Sequence, residues 1–438
     1  MISSPPQLDA IARRLQTVQH LITSGKLSEA AERLNGVAKS APRDPRVHLL
    51  GMRLGEAAGN PAAAQTSARK AVELAPEWPV GVTELAFLLA RQNQFQDAME
   101  FARRAVKLDG DNPEVLGRVI DIAHRAQHLD LAIQWLERAL DHAPGNQHLR
   151  HQLARDLRLK DRHGEAIAAY DALLAVSPSD QGALLGRLQT ALASGNAELA
   201  RKDAETLLAL APDSDESRYW HTLAHGQTPS RQPVAIVRSL YDGMAELYDQ
   251  HIVAGLKYKL PREVARQIKA LYPDNKLNLL DLGSGTGLLG ACLAPITGAM
   301  IGVELSPRMS EQAARHGVYH RFHQVDLRDA LHETPGSLYD VIAALDVFIY
   351  VGELDTVIPD ALRVLVPGGH FIFSCEAAGP AESDLVLRAT QRYAHKASSI
   401  EASCRAAGFT QVAIETMPLR YEGTEPVQGF LVTARKAA

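Results

Sequence analysis

Cysteine is scarce in this 438-residue chain. The three present, Cys292, Cys375 and Cys404, are odd in number and lack metal-ligand spacing, which excludes a disulfide framework and a zinc site. Aromatic residues make up only 5%, against 46% hydrophobic residues in all. That balance argues against an all-β fold and for cores built from alanine and leucine on helices. No run of about 20 apolar residues occurs, so no membrane-spanning helix is expected. The opening MISSPPQLDA has neither a basic stretch nor an apolar one, so no secretory signal is expected. Charge of one sign is also missing. The net charge is −5 and the charges are intermixed, whereas a nucleic-acid partner calls for a basic stripe. The expectation is a protein of two or three domains in a reducing cytoplasm, without metal, membrane or nucleic acid.

What the chain does have is a period. Prolines recur at Pro42, Pro76, Pro144, Pro178 and Pro212, with Gly110 filling the gap, at a step of 34 residues. Alanines follow the same step at Ala30, Ala64, Ala98, Ala132, Ala166 and Ala200, and so does a turn series of Gly25, Gly59, Asn93, Gln127, Asp161 and Gly195. Proline cannot continue a helix, so it separates repeats. The small alanine marks a close approach of two helices, and the turn residue breaks the link between them. Helix pairs are predicted at 11–24 with 27–40 and 45–58 with 61–74, and onward to about 212. A terminal helix follows near Ser214–His225. This pattern resembles the tetratricopeptide repeat family. The resemblance implies an all-α solenoid over residues 1–226 with a concave groove. Arg46, Arg53, His148, His151, Arg155 and Arg158 would face that groove, either as a solvated helix face or as a seat for a protein or peptide partner. A second copy of the chain is the other partner such arrays serve.

The stretch GQTPSRQPVA, Gly226–Ala235, has the composition of a linker, placed at 227–236. Beyond it the pattern changes to alternating strands and helices. LNLLDLGSGTGLLGACLA (277–294) reads as a buried strand, then Asp281 with Gly283, Ser284, Gly285 and Gly287, then a helix. Glycines let a ligand lie against bare backbone, and the helix N-terminus favours negative charge. A dinucleotide fingerprint would need glycine at 288, where Leu288 stands. Glu304 follows Asp281 by 23 residues at the end of a second strand, placed to take both ribose hydroxyls; the same acid disfavours a 2′-phosphate. HQVDL puts Asp326 at the end of a third strand. YDVIAALDVFIYVGEL puts Leu345, Asp346 and Tyr350 at the carboxyl end of a fourth, where open α/β sheets bind ligands. Two more strands near 410–416 and 429–433 close the sheet.

The D-x-G-x-G-x-G spacing resembles motif I of the class I methyltransferases, and the likeness covers about 238–437. It implies a Rossmann-like, seven-stranded α/β domain at 237–438 joined to the all-α solenoid. The implied cofactor is S-adenosylmethionine, with S-adenosylhomocysteine as product. The glycine loop and Asp281 would face the methionine part. Leu305 and Met309 would flank the adenine, while Asp326 and Leu327 would meet its amino group and ring. Tyr241 and Tyr248, seven residues apart in RSLYDGMAELYDQ, resemble the family's N-terminal lid and would either cover the sulfonium by cation–π attraction or pack in the core. Leu345 and Tyr350 would face the methyl. In QRYAHKAS, part of the family's acceptor wall, Arg392, Tyr393 and His395 are the catalytic candidates, with His395 as a base or as a structural histidine. Two functions follow: a methyltransferase whose repeats dock a partner or substrate, or a scaffold that binds the cofactor without transferring methyl. The methyl acceptor is left undefined.

Overall fold

The computed structural model describes residues 10–245, 248 and 258–438. They divide into two compact units, the first ending at Leu207 and the second running from Leu208 to Ala438.

The first unit is a series of helical hairpins. Helices α1 (Ala10–Thr23) and α2 (Leu27–Ser40) form the first, α3 (Pro45–Ala57) and α4 (Pro61–Leu74) the second, and the sixth pairs Gln181–Ala193 with Ala197–Leu210. All six alanines of the periodic series are fully buried. The contact they allow is close: a Cβ on Gly55 of α3 would lie 2.7 Å from the Ala64 nitrogen of α4. All six turn residues adopt left-handed backbone, with φ between 56° and 77°. Glycine does this freely and Asn or Asp at moderate cost. A fourth series of the same step emerges. Asp44, Asn112, Asn146, Asp180 and Ser214 each accept a first-turn N–H with the side chain, capping the helix that follows. Trp78 holds that position in the third repeat and caps nothing.

The second unit opens with α13 (Asp215–Ala224), α14 (Val234–Met244) and α15 (Leu260–Leu271). Strands and helices then alternate: β1 (Leu279–Leu282), α16 (Leu288–Leu293), β2 (Met300–Val303), α17 (Pro307–Ala314), β3 (Arg321–His323), α18 (Leu327–Glu333), β4 (Tyr339–Ala344), α19 (Val357–Val364) and β5 (Leu365–Ala377). These five strands are parallel in the order β3-β2-β1-β4-β5. Every residue of β1 is buried, as a strand covered on both faces must be. The sheet continues from β5 through the antiparallel pair β9 (Glu425–Arg435) and β8 (Gln411–Glu422), which completes the seven expected strands. Two short strands were not anticipated. β6 (Leu385–Leu387) and β7 (Tyr393–His395) form a hairpin ahead of α20 (Ala397–Ala407). β5 has 13 residues and outruns the six of β4, so Glu376 and Ala377 keep an edge to which β7 pairs.

The stretch read as a linker is not a bare tether. Ser230 O accepts from both Gly352 N and Glu353 N at 2.9 Å, Gln232 N donates to Tyr350 O at 3.0 Å, and Arg231 bridges Val351 in antiparallel fashion. Among the described residues no helix is long and apolar enough to cross a membrane.

Candidate functional site

Parallel strands aim their carboxyl ends at one edge of the sheet, and the loops there build a cleft. Asp281 closes β1. It is 3% exposed, and its Oδ2 accepts the Tyr319 hydroxyl at 2.5 Å. Burial pushes its pKa up to about 7. The Tyr319 bond pulls it down and the charge of Glu304 pushes it further up. The loop then makes three left-handed turns, at Gly283, Gly285 and Gly287, and these have different reasons. A side chain on Gly283 would strike Val347 at 2.5 Å, and one on Gly287 would press on Ala313 and Tyr319 at 3.0–3.1 Å. At Gly285 a Cβ would meet nothing within 4 Å among the described residues. Gly283 and Gly285 line the cleft; Gly287 instead serves as the left-handed cap of α16. The Ser284 hydroxyl is buried without a hydrogen-bond partner among the described residues.

Glu304 follows β2 and is 7% exposed. Its Oε2 accepts Gly285 N and its Oε1 accepts Ser306 N, both at 2.8 Å. The carboxylate thus ties the glycine loop to the start of α17 and keeps lone pairs for a ligand. Burial raises its pKa, opposed by the backbone donors of Ser306, Gly285 and Leu305. Leu305 and Leu327 line the cleft, whereas Met309 is fully buried and lies outside the lining. Asp326 caps α18 by accepting Arg328 N at 2.8 Å and pairs with Arg231 at 3.3 Å. Burial raises its pKa and Arg231 lowers it.

The opposite wall is aromatic. Tyr241 of α14 donates to the Tyr350 hydroxyl at 3.1 Å, and its ring meets Tyr350 edge-on at 5.7 Å and Tyr248 at 5.9 Å. Leu345, Asp346 and Val347 complete that wall at the end of β4. Two adjoining cavities result. One, of about 740 Å³ including space open to solvent, runs past Glu304, Leu305, Asp326 and Tyr350. The other, of about 360 Å³, runs past Asp281, Ser284, Thr286 and Tyr258. Tyr248, Gly283, Gly285 and Leu345 line both.

Arg392, Tyr393 and His395 line neither cavity. Arg392 ion-pairs with Glu422. Tyr393 is fully buried and donates to Pro229 O at 2.9 Å. His395 is 3% exposed; its Nε2 donates to Gly352 O at 2.7 Å, and burial lowers its pKa. The physical reason is the β6–β7 hairpin, which carries these side chains toward the loop after β4 and the 229–232 segment. Sequence reasoning missed Tyr258, Thr286 and Arg231 in the lining. Arg231 sits within a segment that looks like a linker, and nothing in its local composition marks it. It also missed Arg420 on β8, which is 2% exposed and bonds Asp346 and Glu376.

In the first unit four of the six groove candidates are engaged with neighbouring side chains. Arg46 bonds Asp44, Arg53 donates to Gln19 at 2.7 Å, His151 pairs with Asp180 at 2.8 Å, and Arg155 pairs with buried Asp156 at 3.0 Å. Arg158 adjoins Tyr170, whose pKa it lowers against burial, and His148 is exposed.

Comparison with known proteins follows the same division. The family model described as a methyltransferase domain matches residues 280–373, and that of the tetratricopeptide repeat matches 83–147 and 151–215. The chain is 30% identical over 186 residues to a ubiquinone biosynthesis O-methyltransferase of Azorhizobium caulinodans, covering 37% of this chain and 72% of that protein. It is 24% identical over 192 residues to the protein of the same name from Bordetella avium, covering 40% and 77%. Among solved structures it is similar to YrrB, described as a TPR protein with an unusual peptide-binding site. That match has 16% identity and a TM-score of 0.37, over 44% of this chain and 96% of that one.

Proposed function

We propose, for a chain that belongs to the class I S-adenosylmethionine-dependent methyltransferases and carries tetratricopeptide repeats, transfer of the sulfonium methyl to a hydroxyl acceptor, with the repeat array docking a protein partner. S-adenosylmethionine is the cofactor, and the cleft fits it. Among the described residues nothing would meet a side chain at the left-handed Gly285 and the buried Ser284 hydroxyl has no partner, while Glu304 is already oriented by two backbone N–H groups. In this reading Glu304 takes the ribose hydroxyls and Asp281 the methionine ammonium. Leu305 and Leu327 flank the adenine, and Asp326 takes its amino group. Tyr241 and Tyr248 sit over the sulfonium. When bound, the cofactor supplies a methyl group already activated for displacement, so the protein's residues need mainly to align the acceptor and exclude water.

The observation that carries this reading is the Glu304 carboxylate, fixed at both oxygens and bordering the cleft at the strand ends. A hydroxyl acceptor is supported by the names of the curated relatives. It is also supported by a wall of Val234, Val237 and Val351 ending in the Tyr350 hydroxyl. Asp346 directs both oxygens to Arg420, at 2.7 and 2.9 Å, so it is committed to that ion pair. Alignment and the acceptor's own acidity then carry the reaction. Docking by the array is supported by the repeat family and by arginines paired at part-exposed positions, such as Arg53 and Arg155, which an acidic partner segment can compete for. The cytoplasm suits three unpaired thiols.

A pH dependence follows from Asp281. An ammonium ligand prefers the carboxylate, and this carboxyl is protonated below its pKa of about 7. Affinity for S-adenosylhomocysteine is expected to be flat from pH 7.5 to 8.5 and to fall by up to about tenfold per pH unit below 7. Tyr319→Phe removes the bond that lowers the pKa, so it moves the break upward. Calorimetric titration across pH 5.5–8.5 checks both, and Asp281→Asn should abolish the slope.

The function is tested by adding purified chain and labelled S-adenosylmethionine to a lysate of a host lacking this protein, with Gly285→Arg as control. Label in extractable small molecules that survives base treatment supports an ether-forming acceptor. Label in a discrete protein band assigns the array to the substrate itself. No label above the Gly285→Arg control removes the enzymatic reading.

A further inference from the structure

The segment between α13 and α14 carries the one basic side chain lining the larger cavity among its described residues. Arg231 reaches the Asp326 carboxylate with Nη1 and the Asp215 carboxylate of α13 with Nη2, each at 3.3 Å. Its backbone is held from several sides. The loop after β4 bonds residues 230–232 through Tyr350, Gly352 and Glu353. The β6–β7 hairpin holds the same segment, with the Tyr393 hydroxyl on Pro229 O and the Gln391 carbonyl accepting the Gln232 side chain. Tyr219 of α13 donates to the Gln391 side chain at 2.8 Å, so the hairpin and α13 brace one another. Hydrogen bonds at this many points fix the backbone from which the Arg231 side chain extends.

We propose that Arg231 is a positioning residue for cofactor recognition: it orients Asp326 so that the carboxylate accepts the exocyclic N–H of adenine, which makes the pre-domain segment part of the selection for an adenine ring. The proposal rests on the reading of the cleft as the S-adenosylmethionine site. The geometry leaves room for it. Asp326 Oδ1 accepts Arg328 N and Oδ2 accepts Arg231, so two of about four carboxylate lone-pair sites are used and the others remain. Without Arg231 the carboxylate keeps Arg328, whose N–H it accepts and whose guanidinium lies 3.5 Å from Oδ1, while burial and the charge of Asp329 beside it still raise its pKa. A protonated carboxyl offers a donor where the adenine amino group also donates.

The test separates this role from mere support of the fold. Full-length chain is titrated with S-adenosylhomocysteine and with S-inosylhomocysteine, in which a carbonyl replaces the amino group. Wild type should prefer the adenosyl ligand by about tenfold or more, the worth of one charge-assisted hydrogen bond. Arg231→Gln should cut that preference to about threefold or less, and Arg231→Lys should restore much of it because it returns the charge. Asp326→Asn should erase or reverse it, since its amide can donate to the inosyl carbonyl. If Arg231→Gln weakens both ligands equally, or leaves the preference intact while Asp326→Asn reverses it, the Arg231 proposal is overturned and the cofactor reading stands. If Asp326→Asn also keeps the wild-type preference, the placement of adenine at Asp326 fails as well.

Discussion

Glu304→Ala is expected to weaken S-adenosylhomocysteine binding by about a hundredfold to ten-thousandfold and to abolish methyl transfer, while leaving the fold in place. Each hydrogen bond from a ribose hydroxyl to a carboxylate is worth about 1.5–3 kcal/mol, and each 1.4 kcal/mol is about tenfold in affinity. The carboxylate also pins Gly285 N and Ser306 N, so its loss releases the glycine loop from α17. Glutamine is not a rescue. Both carboxylate oxygens face backbone N–H donors, and an amide turns a donor toward one of them. Aspartate is one methylene short of reaching both. Calorimetry with circular dichroism as the control for folding is the measurement. A Glu304→Ala protein that binds within about threefold of wild type would remove Glu304 from the site.

The second large effect is on stability. Arg420→Met is expected to destabilise the second unit by about 3–5 kcal/mol, the cost of leaving buried carboxylates without their cation. Arg420 is 2% exposed and bonds Asp346 twice, while its other nitrogen bonds Glu376 and lies 3.6 Å from Glu422. Glu376 is itself 7% exposed. Asp346 lies two residues past β4 with φ of 58°, a left-handed conformation that carries a moderate cost for a residue other than glycine. Combining Arg420→Met with Asp346→Asn and Glu376→Gln should restore part of the loss, because the charges that needed a partner are gone. Chemical denaturation followed by circular dichroism reads both. If Arg420→Met costs less than about 1 kcal/mol, water has replaced the guanidinium and the cluster does not hold the strand ends together.

The repeat half was legible because its constraints are local and recur. Each buried alanine, left-handed turn and helix break is imposed within one hairpin, so the same residue types return every 34 positions. Much of the lining of the cleft was legible for a related reason. Asp281, Gly283, Gly285, Glu304, Asp326 and Tyr350 each stand at or close after a strand's end, and a parallel sheet gathers those ends at one edge. Gly287 and Met309 show the limit of that logic. Gly287 caps α16, and Met309 is fully buried outside the cleft lining.

Arg392, Tyr393 and His395 mark where the pattern ran out. A histidine beside a tyrosine and an arginine after the fifth strand reads as an acceptor wall. The excess length of β5 instead recruits β7, and the recruited strand turns those side chains to Glu422, Pro229 and Gly352. Arg231 and Arg420 were invisible for the converse reason. Their partners lie 95 and 74 residues away, and no spacing within a segment announces a pairing of that range. The sequence by itself determined the repeat, the sheet and the cleft-lining ends of its strands, because backbone sterics and helix and strand periodicity act between near neighbours. The tertiary structure alone decided which charges meet across the cleft, because a buried carboxylate takes its cation from whichever element the packed chain brings within reach.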